Sequence, residues 1–263
     1  MKRSRKSRLL LVFLALTMVL ALAACGNQNE SDWKYVKKNG KLVIGYTNYE
    51  PMNYFDENGN FTGFDTELAT IVCEKLGVEP DFVEIDWNTK EVELNAKSID
   101  CIWNGMTILP ERVETMEVTK PYVKNAQVVI VKKGTAYDGT ASLIGKTVVA
   151  EQGSAGEETI MADDNLKQAN YIPKTVQTDC LMEIKSGTAD AAVLDLTLAK
   201  TMTGAGTSYE DIEIVDYLAE EDYGVAFRKG SDICEKVNKI FDELIADGTM
   251  GKLAEKYGLE LSN

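Results

Sequence analysis

The sequence has 263 residues, with 42 acidic and 28 basic side chains, a formal net charge of −14 and no histidine. The lack of histidine excludes His-dependent catalytic triads and most catalytic zinc sites. The five cysteines include no C-x-x-C pair, so a metal cluster is not expected. An acidic surface also disfavours nucleic acid as a partner. We therefore predict no metal, no cofactor and no nucleic acid partner.

The first 24 residues have the layout of a secretory signal. A basic segment over 2–8 precedes an apolar stretch over 9–24, which is short for a membrane span. The stretch ends Leu22-Ala23-Ala24-Cys25, which resembles the lipobox of bacterial lipoproteins, whose cysteine is acylated. The resemblance implies a signal peptide over 1–24, lipidation of Cys25, a tether over 25–32 and a place on the extracellular face of the cell membrane. An ordinary cleaved signal or a single anchor helix are the alternatives.

The first half of the remaining chain alternates strand and helix signals. Residues 42–46 form a β-rich run after a turn, and residues 56–60 form a second turn. Residues 66–76 repeat apolar side chains at helical spacing, with Asp65 as a candidate N-cap and Gly77 at the end. The same reasoning predicts strands at 81–85 and 100–103, and helices at 90–97 and from Pro110 onward.

The second half continues this alternation. Four consecutive branched apolar residues at 128–131 indicate a buried strand, and the chain ends in two helices, at 233–247 and 250–257. Strands alternating with helices predict mostly parallel sheets that are covered on both faces. In such sheets, ligands bind at the loops beyond the carboxyl ends of the strands. Further strands are predicted at 147–150, 191–194, 212–215 and 224–227.

One candidate anion site follows the strand that ends at Trp103. Gly105 allows a ligand to approach the backbone closely, Thr107 offers a hydroxyl, and Arg112 offers a planar fork that pairs with a carboxylate. A surface ion pair is the alternative role for Arg112 alone. The combination of the three residues in one loop favours an anion site.

Other strand ends carry further candidates. Residues 152–156 (Gln-Gly-Ser-Ala-Gly) precede a predicted helix, whose first N–H groups favour an anion, or they form a plain turn. Asp195 ends a strand, where its carboxylate is able to accept from an ammonium group or to cap the next helix. Tyr49 and Trp87 are candidates for flat apolar walls, with simple packing as the alternative.

Taken together, these segments resemble the polar amino-acid-binding proteins of ABC importers, known as solute-binding protein family 3, in their lipoprotein form. The resemblance covers about residues 33–258, and its most specific part is the Gly-Met-Thr-x-x-Pro-Glu-Arg segment at 105–112. The other matching segments are Ile44-Gly45, Tyr49-Glu50-Pro51, Gly63-Phe64-Asp65, Asp100, Pro121-Tyr122, Gly145-Lys146, Gly153-Ser154, Ala189-Asp190-Ala191 and Tyr223-Gly224-Val225-Ala226-Phe227.

The resemblance implies an α/β, two-lobed, periplasmic-binding-protein-like (type II) fold. Its two mixed, mostly parallel sheets are joined by two hinge strands, and the lobes close on a ligand. The implied divisions are lobe 1 over 33–121 and 224–263, lobe 2 over 127–218, and hinges over 122–126 and 219–223.

The same family pattern implies a role for each matching residue. Arg112, Thr107 and Ser154 would hold the α-carboxylate of an amino acid. Asp195 and the carbonyl of Gly105 would take the α-ammonium. Arg112 and Asp195 lie on different lobes in this interpretation, so a zwitterion would connect the two lobes.

The remaining implied contacts concern the ligand's side chain. Tyr49 and Trp87 would sandwich its aliphatic part, while Tyr46, Asn104 and Glu151 would contact or border its end. Tyr46 stands where an acidic residue is common in relatives, which weakens the case for a basic ligand. Glu151 instead favours a cationic side chain or an amide, because its carboxylate could pair with the first or accept from the second. The sequence favours a polar, uncharged amino acid such as cystine.

The resemblance implies a monomeric binding protein that is not an enzyme and that delivers its ligand to an ABC transporter permease. An enzyme on the same fold, similar to cyclohexadienyl dehydratase, is one alternative, with Glu151 or Glu50 as its acid or base. The sensory ectodomain of a signalling receptor is the other.

Overall fold

The computed structural model describes residues 31–262. The predicted signal peptide, the lipidation residue Cys25 and most of the tether lie outside the described residues. No helix within the described range has both the length and the apolar character required to cross a membrane.

Helices and strands alternate through the described range, as the sequence pattern predicts. The helices are α1 (Asp32–Asn39), α2 (Phe64–Leu76), α3 (Lys90–Asn95), α4 (Pro110–Thr115), α5 (Ala155–Ala162), α6 (Gln177–Ser186), α7 (Leu196–Met202), α8 (Ile233–Ala246) and α9 (Thr249–Tyr257). The strands are β1 (Lys41–Tyr46), β2 (Tyr54–Phe55), β3 (Phe61–Thr62), β4 (Glu79–Glu84), β5 (Cys101–Thr107), β6 (Met116–Val118), β7 (Val123–Lys132), β8 (Thr147–Glu151), β9 (Asn170–Lys174), β10 (Ala191–Asp195) and β11 (Ile212–Arg228).

Two groups of strands meet at a pair of long antiparallel strands. The hydrogen-bonded order is β4-β1-β5-β11-β7-β10-β8-β9, with β6 paired to β11 and a separate β2-β3 hairpin. The outer strands pair in parallel, β1 with β4 and β5, and β8 with β9 and β10. Strand β11 pairs with β7 along most of its length and then continues against β5. The fold is therefore the expected mixed α/β fold, and the two sheets form one continuous ladder because β11 belongs to both.

The predicted strands at 212–215 and 224–227 are the two ends of the single strand β11. Four of the eight residues between them are acidic, so the apolar pattern that predicts a strand is interrupted there. Pairing with β7 nevertheless continues from Ile212 opposite Lys132 to Tyr223 opposite Val123. The long strand thus spans both groups of strands.

Both faces of the inner strands are covered, which explains their near-continuous apolar sequences. Side chains alternate across a strand, and in β5 Trp103 packs in one buried cluster with α2 and α8 while Ile102 packs in another with α3. In β10, Leu194 and Val193 are divided between two clusters in the same way. The four cysteines in the described range are buried free thiols.

Asp65 is a correction to the sequence analysis, because it does not cap α2. The helix begins at Phe64, and its N-cap residue is Gly63, with φ of 126°. A side chain at Gly63 would place its Cβ 2.2 Å from the carbonyl oxygen of Met52, so the close backbone approach requires glycine. Asp65 is fully buried in the first turn of the helix, where its carboxylate is available to other partners.

Candidate functional site

The loops after β1, β4, β5, β8 and β10 enclose a small cavity between the two groups of strands. The space left between its walls is about 10 Å³, close to the least that one water molecule needs. Little free space therefore remains between the walls, and the cleft is nearly closed. The lining residues are Tyr49, Trp87, Asn104, Gly105, Thr107, Arg112, Glu151, Ser154, Ala155, Gln177 and Asp195.

Nine of the ten residues predicted to contact the ligand lie in this lining, and Tyr46 does not. The ring of Tyr46 packs on Phe61 and Phe82, with centroid distances of 4.6 and 6.3 Å. Along β1, Tyr46 shares its face with Leu42 and Ile44, which point into the main core. The alternation of the strand therefore turns Tyr46 away from the cleft.

Arg112 is buried, with 3% of its surface exposed, and is held in place by acceptors from both sides of the cleft. Its Nη1 donates to the carbonyl of Thr107 over 3.1 Å, and its Nη2 donates to Glu158 Oε1 over 2.9 Å and to the carbonyl of Gly153 over 3.4 Å. A guanidinium has five N–H donors, so donors remain for a carboxylate. Arg112 does form an ion pair with Glu158, whose side chain is 39% exposed, but the guanidinium itself is buried and lines the cavity.

Ser154 lies directly across the cleft, at the start of α5. It is the N-cap residue, and its hydroxyl accepts from Glu157 N over 3.2 Å. The Glu157 carboxylate in turn accepts from Gly153 N over 2.6 Å, and Gly153 takes φ of 73°. This local network fixes the loop and presents the N-terminus of the helix to the cavity.

Asp195 lines the cavity from the other group of strands, with 5% of its surface exposed. It occupies the N-cap position of α7, but its side chain makes no capping bond. Its carboxylate instead accepts from Asn125 Nδ2 over 2.5 Å, from Gln127 Nε2 over 2.8 Å and from Gln177 Nε2. Burial raises the pKa of Asp195, while the amide donors of Gln177 and Gln127 oppose that rise.

Glu221 of β11 forms a second carboxylate next to Asp195, which the sequence analysis missed. Its Oε1 accepts from the same two amides, Asn125 over 2.5 Å and Gln127 over 2.9 Å, and from the hydroxyl of Thr107 over 3.0 Å. Burial, reinforced by the charge of Asp195, raises the pKa of Glu221 to about 8. Two carboxylates thus share one set of amide donors.

The register of the sheet produces this arrangement. Asn125 lies opposite Glu221 in the β7–β11 ladder, and Gln127 lies opposite Asp195 in the β7–β10 ladder. A sequence signal for the two amides exists, because polar residues two apart in an apolar strand point to the same face.

Tyr49 joins a cluster of three buried hydroxyl groups that crosses the cleft. Its OH lies 2.5 Å from the OH of Tyr223 and also contacts Thr197 Oγ1, which is 3.1 Å from Tyr223 OH. Gly105, with φ of 55°, lies beneath the rings, and a Cβ there would come within 2.8 Å of Tyr49 and 3.0 Å of Tyr223. Only glycine fits at this position.

Asn104 and Asp65 hold the backbone around the cavity in place through hydrogen bonds. The side-chain oxygen of Asn104 accepts from Thr47 N and Oγ1 over 3.1 and 2.7 Å, and its Nδ2 donates to Asn53 Oδ1 over 2.7 Å and to the Thr47 carbonyl over 2.9 Å. Asp65 accepts from Gly105 N over 2.7 Å. The amide of Asn104 is thus engaged by the loop that carries Tyr49, and a contact between Asn104 and a ligand stays a prediction.

Trp87 forms another wall of the cavity, and Lys90 lies against its ring. The ring of Trp87 is 5% exposed, and the Nζ of Lys90 lies 5.0 Å from its centre. Lys90 Nζ donates to the carbonyls of Trp87 and Gly153, over 3.2 and 2.8 Å, so this contact also crosses the cleft. Burial lowers the pKa of Lys90 to about 8, with a further contribution from the charge of Arg112.

Glu151, the last residue of β8, completes the lining with 3% of its surface exposed. Its Oε1 is buried and has no hydrogen-bond partner among residues 31–262. Burial raises the pKa of Glu151 well above its usual range, and the charge of Asp195 adds to this. This carboxylate is therefore the least satisfied polar group at the cavity.

Residues 42–260 match the family described as bacterial extracellular solute-binding proteins, family 3. The chain belongs to this family. The arginine-binding extracellular protein ArtP of Bacillus subtilis is 32% identical over 254 residues, which cover 94% of this chain and 96% of ArtP.

Solved structures of family members superpose closely on this chain. One is an ABC uptake transporter substrate-binding protein from Streptococcus pneumoniae with bound histidine, with 28% identity, a TM-score of 0.79 and coverage of 88% of this chain and 97% of that chain. Another is an ancestral amino acid-binding protein described as a precursor of cyclohexadienyl dehydratase. It has 30% identity, a TM-score of 0.78 and coverage of 86% of this chain and 99% of the ancestral protein. These relatives establish the type II binding-protein fold of this chain.

Proposed function

We propose that this protein captures a free amino acid outside the cell and delivers it to the permease of an ABC importer. The observation that carries the proposal is the pair formed by Arg112 and Asp195. Both are buried, carry opposite charges and face one enclosed cavity from different groups of strands. An amino acid is a zwitterion, so its two charged groups complement the two ends of this cavity.

The donors and acceptors around the cavity support a specific pose. The α-carboxylate would lie against the spare donors of Arg112 and the helix N-terminus at Ser154. The hydroxyl of Thr107, which donates to Glu221 here, would turn to donate to it as well. The α-ammonium would donate to Asp195 and to the carbonyl of Gly105. The rings of Tyr49 and Trp87 would enclose the aliphatic part of the side chain.

Opening and closing of two lobes would admit the ligand. We propose the lobes over 33–121 with 224–263 and over 127–218, and the hinges over 122–126 and 219–223. The proposed hinges face each other in the β7–β11 ladder, where Asn125 lies opposite Glu221. The free space of about 10 Å³ in the cavity is smaller than an amino acid, so we expect the two lobes to move apart about these strands when the ligand enters. A ligand that contacts both lobes then favours the closed state.

We also propose that the protein works as a monomer held at the extracellular face of the cell membrane by a lipid on Cys25. The support is the extracellular character of the family and the lipobox sequence that ends the apolar stretch. Mass spectrometry of the membrane-extracted protein tests this, because an unmodified Cys25 would contradict it.

A catalytic role is the second candidate, and one observation favours it. Glu151 and Glu221 are buried carboxyl groups with raised pKa values, which suits a general acid, and one structural neighbour is described as the precursor of a dehydratase. We propose binding without turnover, because Arg112 and Asp195 match both ends of an amino acid. Conversion of prephenate or arogenate by the purified protein would support the catalytic role instead.

A thermal-shift screen of the common amino acids and cystine, followed by calorimetry, tests the proposed function. A ligand present at 100 times its Kd should stabilise the folded protein by about 2.7 kcal/mol. We expect at least one amino acid to raise the melting temperature and to bind with one-to-one stoichiometry. A screen without any shift would contradict the proposal.

A further inference from the structure

The strongest unassigned feature of the cavity is the carboxylate of Glu151. It ends β8 directly before the loop that carries Ser154, so its position is set by the parallel ladder between β8 and β10. It is 3% exposed and lines the cavity, and its Oε1 has no hydrogen-bond partner in the described part of the chain. Because a buried charge without a partner is costly, this carboxylate requires a proton or a cation.

Neighbouring cations do not pair with Glu151. Among residues 31–262, no lysine or arginine nitrogen lies within 4.0 Å of its carboxylate. Lys90 Nζ is held by two backbone carbonyls, and Arg112 is held by Thr107, Gly153 and Glu158. The cations nearest the cavity are therefore engaged elsewhere.

The other groups that influence Glu151 are mainly acidic and increase the need for a cation. Asp195 ends the neighbouring strand β10, and its negative charge acts on Glu151 together with the charges of Asp86 and Asp179. The titratable side chains of Tyr171 and Cys180 also lie near it, and the negative charge of Glu151 raises the pKa of each of these groups. Lys90 alone acts in the opposite direction.

The charges of a bound zwitterion would leave Glu151 uncompensated. The α-carboxylate would be matched by Arg112 and the α-ammonium by Asp195, so neither end of the backbone is available to Glu151. An uncharged side chain would supply a hydrogen bond but no charge. A guanidinium or ammonium at the end of the side chain would supply both.

Building on the proposed function, we propose that the bound amino acid carries a positively charged side chain, and that Glu151 determines this specificity by pairing with it. The ligand class is then that of arginine and lysine. This inference replaces the polar, uncharged ligand favoured by the sequence. That preference relied on Tyr46, which the structure places away from the cavity.

The test compares ligands of the same shape that differ in charge. Arginine and citrulline differ only at the end of the side chain, where a guanidinium is replaced by a neutral urea group. Calorimetry should show the wild-type protein binding arginine at least about 30-fold more tightly than citrulline, the lower end of the effect of a buried charge pair. Lysine against norleucine, which lacks the terminal ammonium group, serves as a second and less closely matched pair.

The variant Glu151→Gln keeps the shape of the side chain and removes its charge. We expect the variant to bind arginine no more than about threefold more tightly than citrulline, mostly because arginine binding becomes weaker. Glu210→Gln is the matched control, since Glu210 is an exposed glutamate in the turn before β11, and the ratio of arginine affinity to citrulline affinity should stay unchanged. Circular dichroism and the melting temperature show whether each variant is folded.

The outcomes separate this inference from the proposed function. If glutamine, cystine or another uncharged amino acid binds more tightly than arginine and lysine, the inference is wrong while the proposed function stands. If the folded Glu151→Gln variant keeps the arginine-to-citrulline ratio, the role of Glu151 is wrong. If no amino acid binds, the proposed function fails and this inference fails with it.

Discussion

At the scale of single residues, Arg112 is the side chain on which the proposed capture of an amino acid depends. Its planar fork reaches the Thr107 carbonyl with one nitrogen and Glu158 with another, an arrangement that lysine cannot reproduce. We expect Arg112→Ala to weaken amino acid binding by about 2–5 kcal/mol, the range for removing one partner of a buried charge pair. Isothermal calorimetry with the ligand found in the screen measures the change.

Arg228 provides the matched control for this variant. It is also buried, but it pairs with Asp32 and Asp100, both over 2.9 Å, away from the cavity. Arg228→Ala should lower the free energy of unfolding, while the folded fraction keeps its ligand affinity. Equal affinity losses in both variants would show that the Arg112 effect is one of folding.

At the scale of secondary structure elements, β7 and β11 bring acidic groups into the proposed hinge. Glu221 is bridged to Asp195 by Asn125 and Gln127, and its pKa of about 8 lies far above the value near 4.3 expected in an unfolded chain. Between these two values the folded protein holds the proton and the unfolded chain does not. The free energy of unfolding should therefore fall as the pH rises from about 4.5 to 8.

The variant Glu221→Gln should reduce this pH dependence. Its amide does not titrate, so urea unfolding at pH 5 and pH 8 should show a smaller difference than in the wild type. Some dependence should persist, because burial also raises the pKa of Asp65, to about 7. Glu220→Gln, at an exposed neighbouring residue of β11, is the control. The prediction would be contradicted if the free energy of unfolding of Glu221→Gln changed between pH 5 and pH 8 by as much as that of the wild type.

At the scale of the whole molecule, side chains connect the two groups of strands across the cleft. Lys90 Nζ, from α3, donates to the carbonyl of Gly153 after β8 over 2.8 Å. A contact of this kind stabilises the closed arrangement, so less of the closing free energy has to come from the ligand. We expect Lys90→Met to weaken binding by about 1.5–3 kcal/mol, the contribution of a hydrogen bond to a charged group.

Small-angle scattering provides the second measurement for Lys90→Met. The ligand-free variant should have a larger radius of gyration than the ligand-free wild type, and the two should agree when saturated with ligand. Lys38→Met is the control, because Lys38 is an exposed residue of α1. Unchanged affinity together with an unchanged radius would contradict the proposed closing role of Lys90.

The sequence by itself determined the class of fold and the parts of the site that are local. Gly105, Thr107 and Arg112 lie within eight residues of each other, so the end of one strand and one short loop place them together. Asp195 was found because it ends a predicted strand, whereas Glu151 was implied by the family resemblance. The periodicity of helices and strands and the residues of local turns depend on amino acids that are close together in the sequence. A sequence pattern therefore reveals them.

Only the tertiary structure decided which distant residues meet. Glu221 reaches Asn125 through the register of β7 against β11, across 96 residues of chain, and no local pattern specifies that register. The side of β1 on which Tyr46 lies was also decided by which face packs on the core. The unpaired state of Glu151 depends on where every nearby cation lies in space. Registers and charge partners arise from packing between segments that are far apart in sequence, so they become visible only in the folded chain.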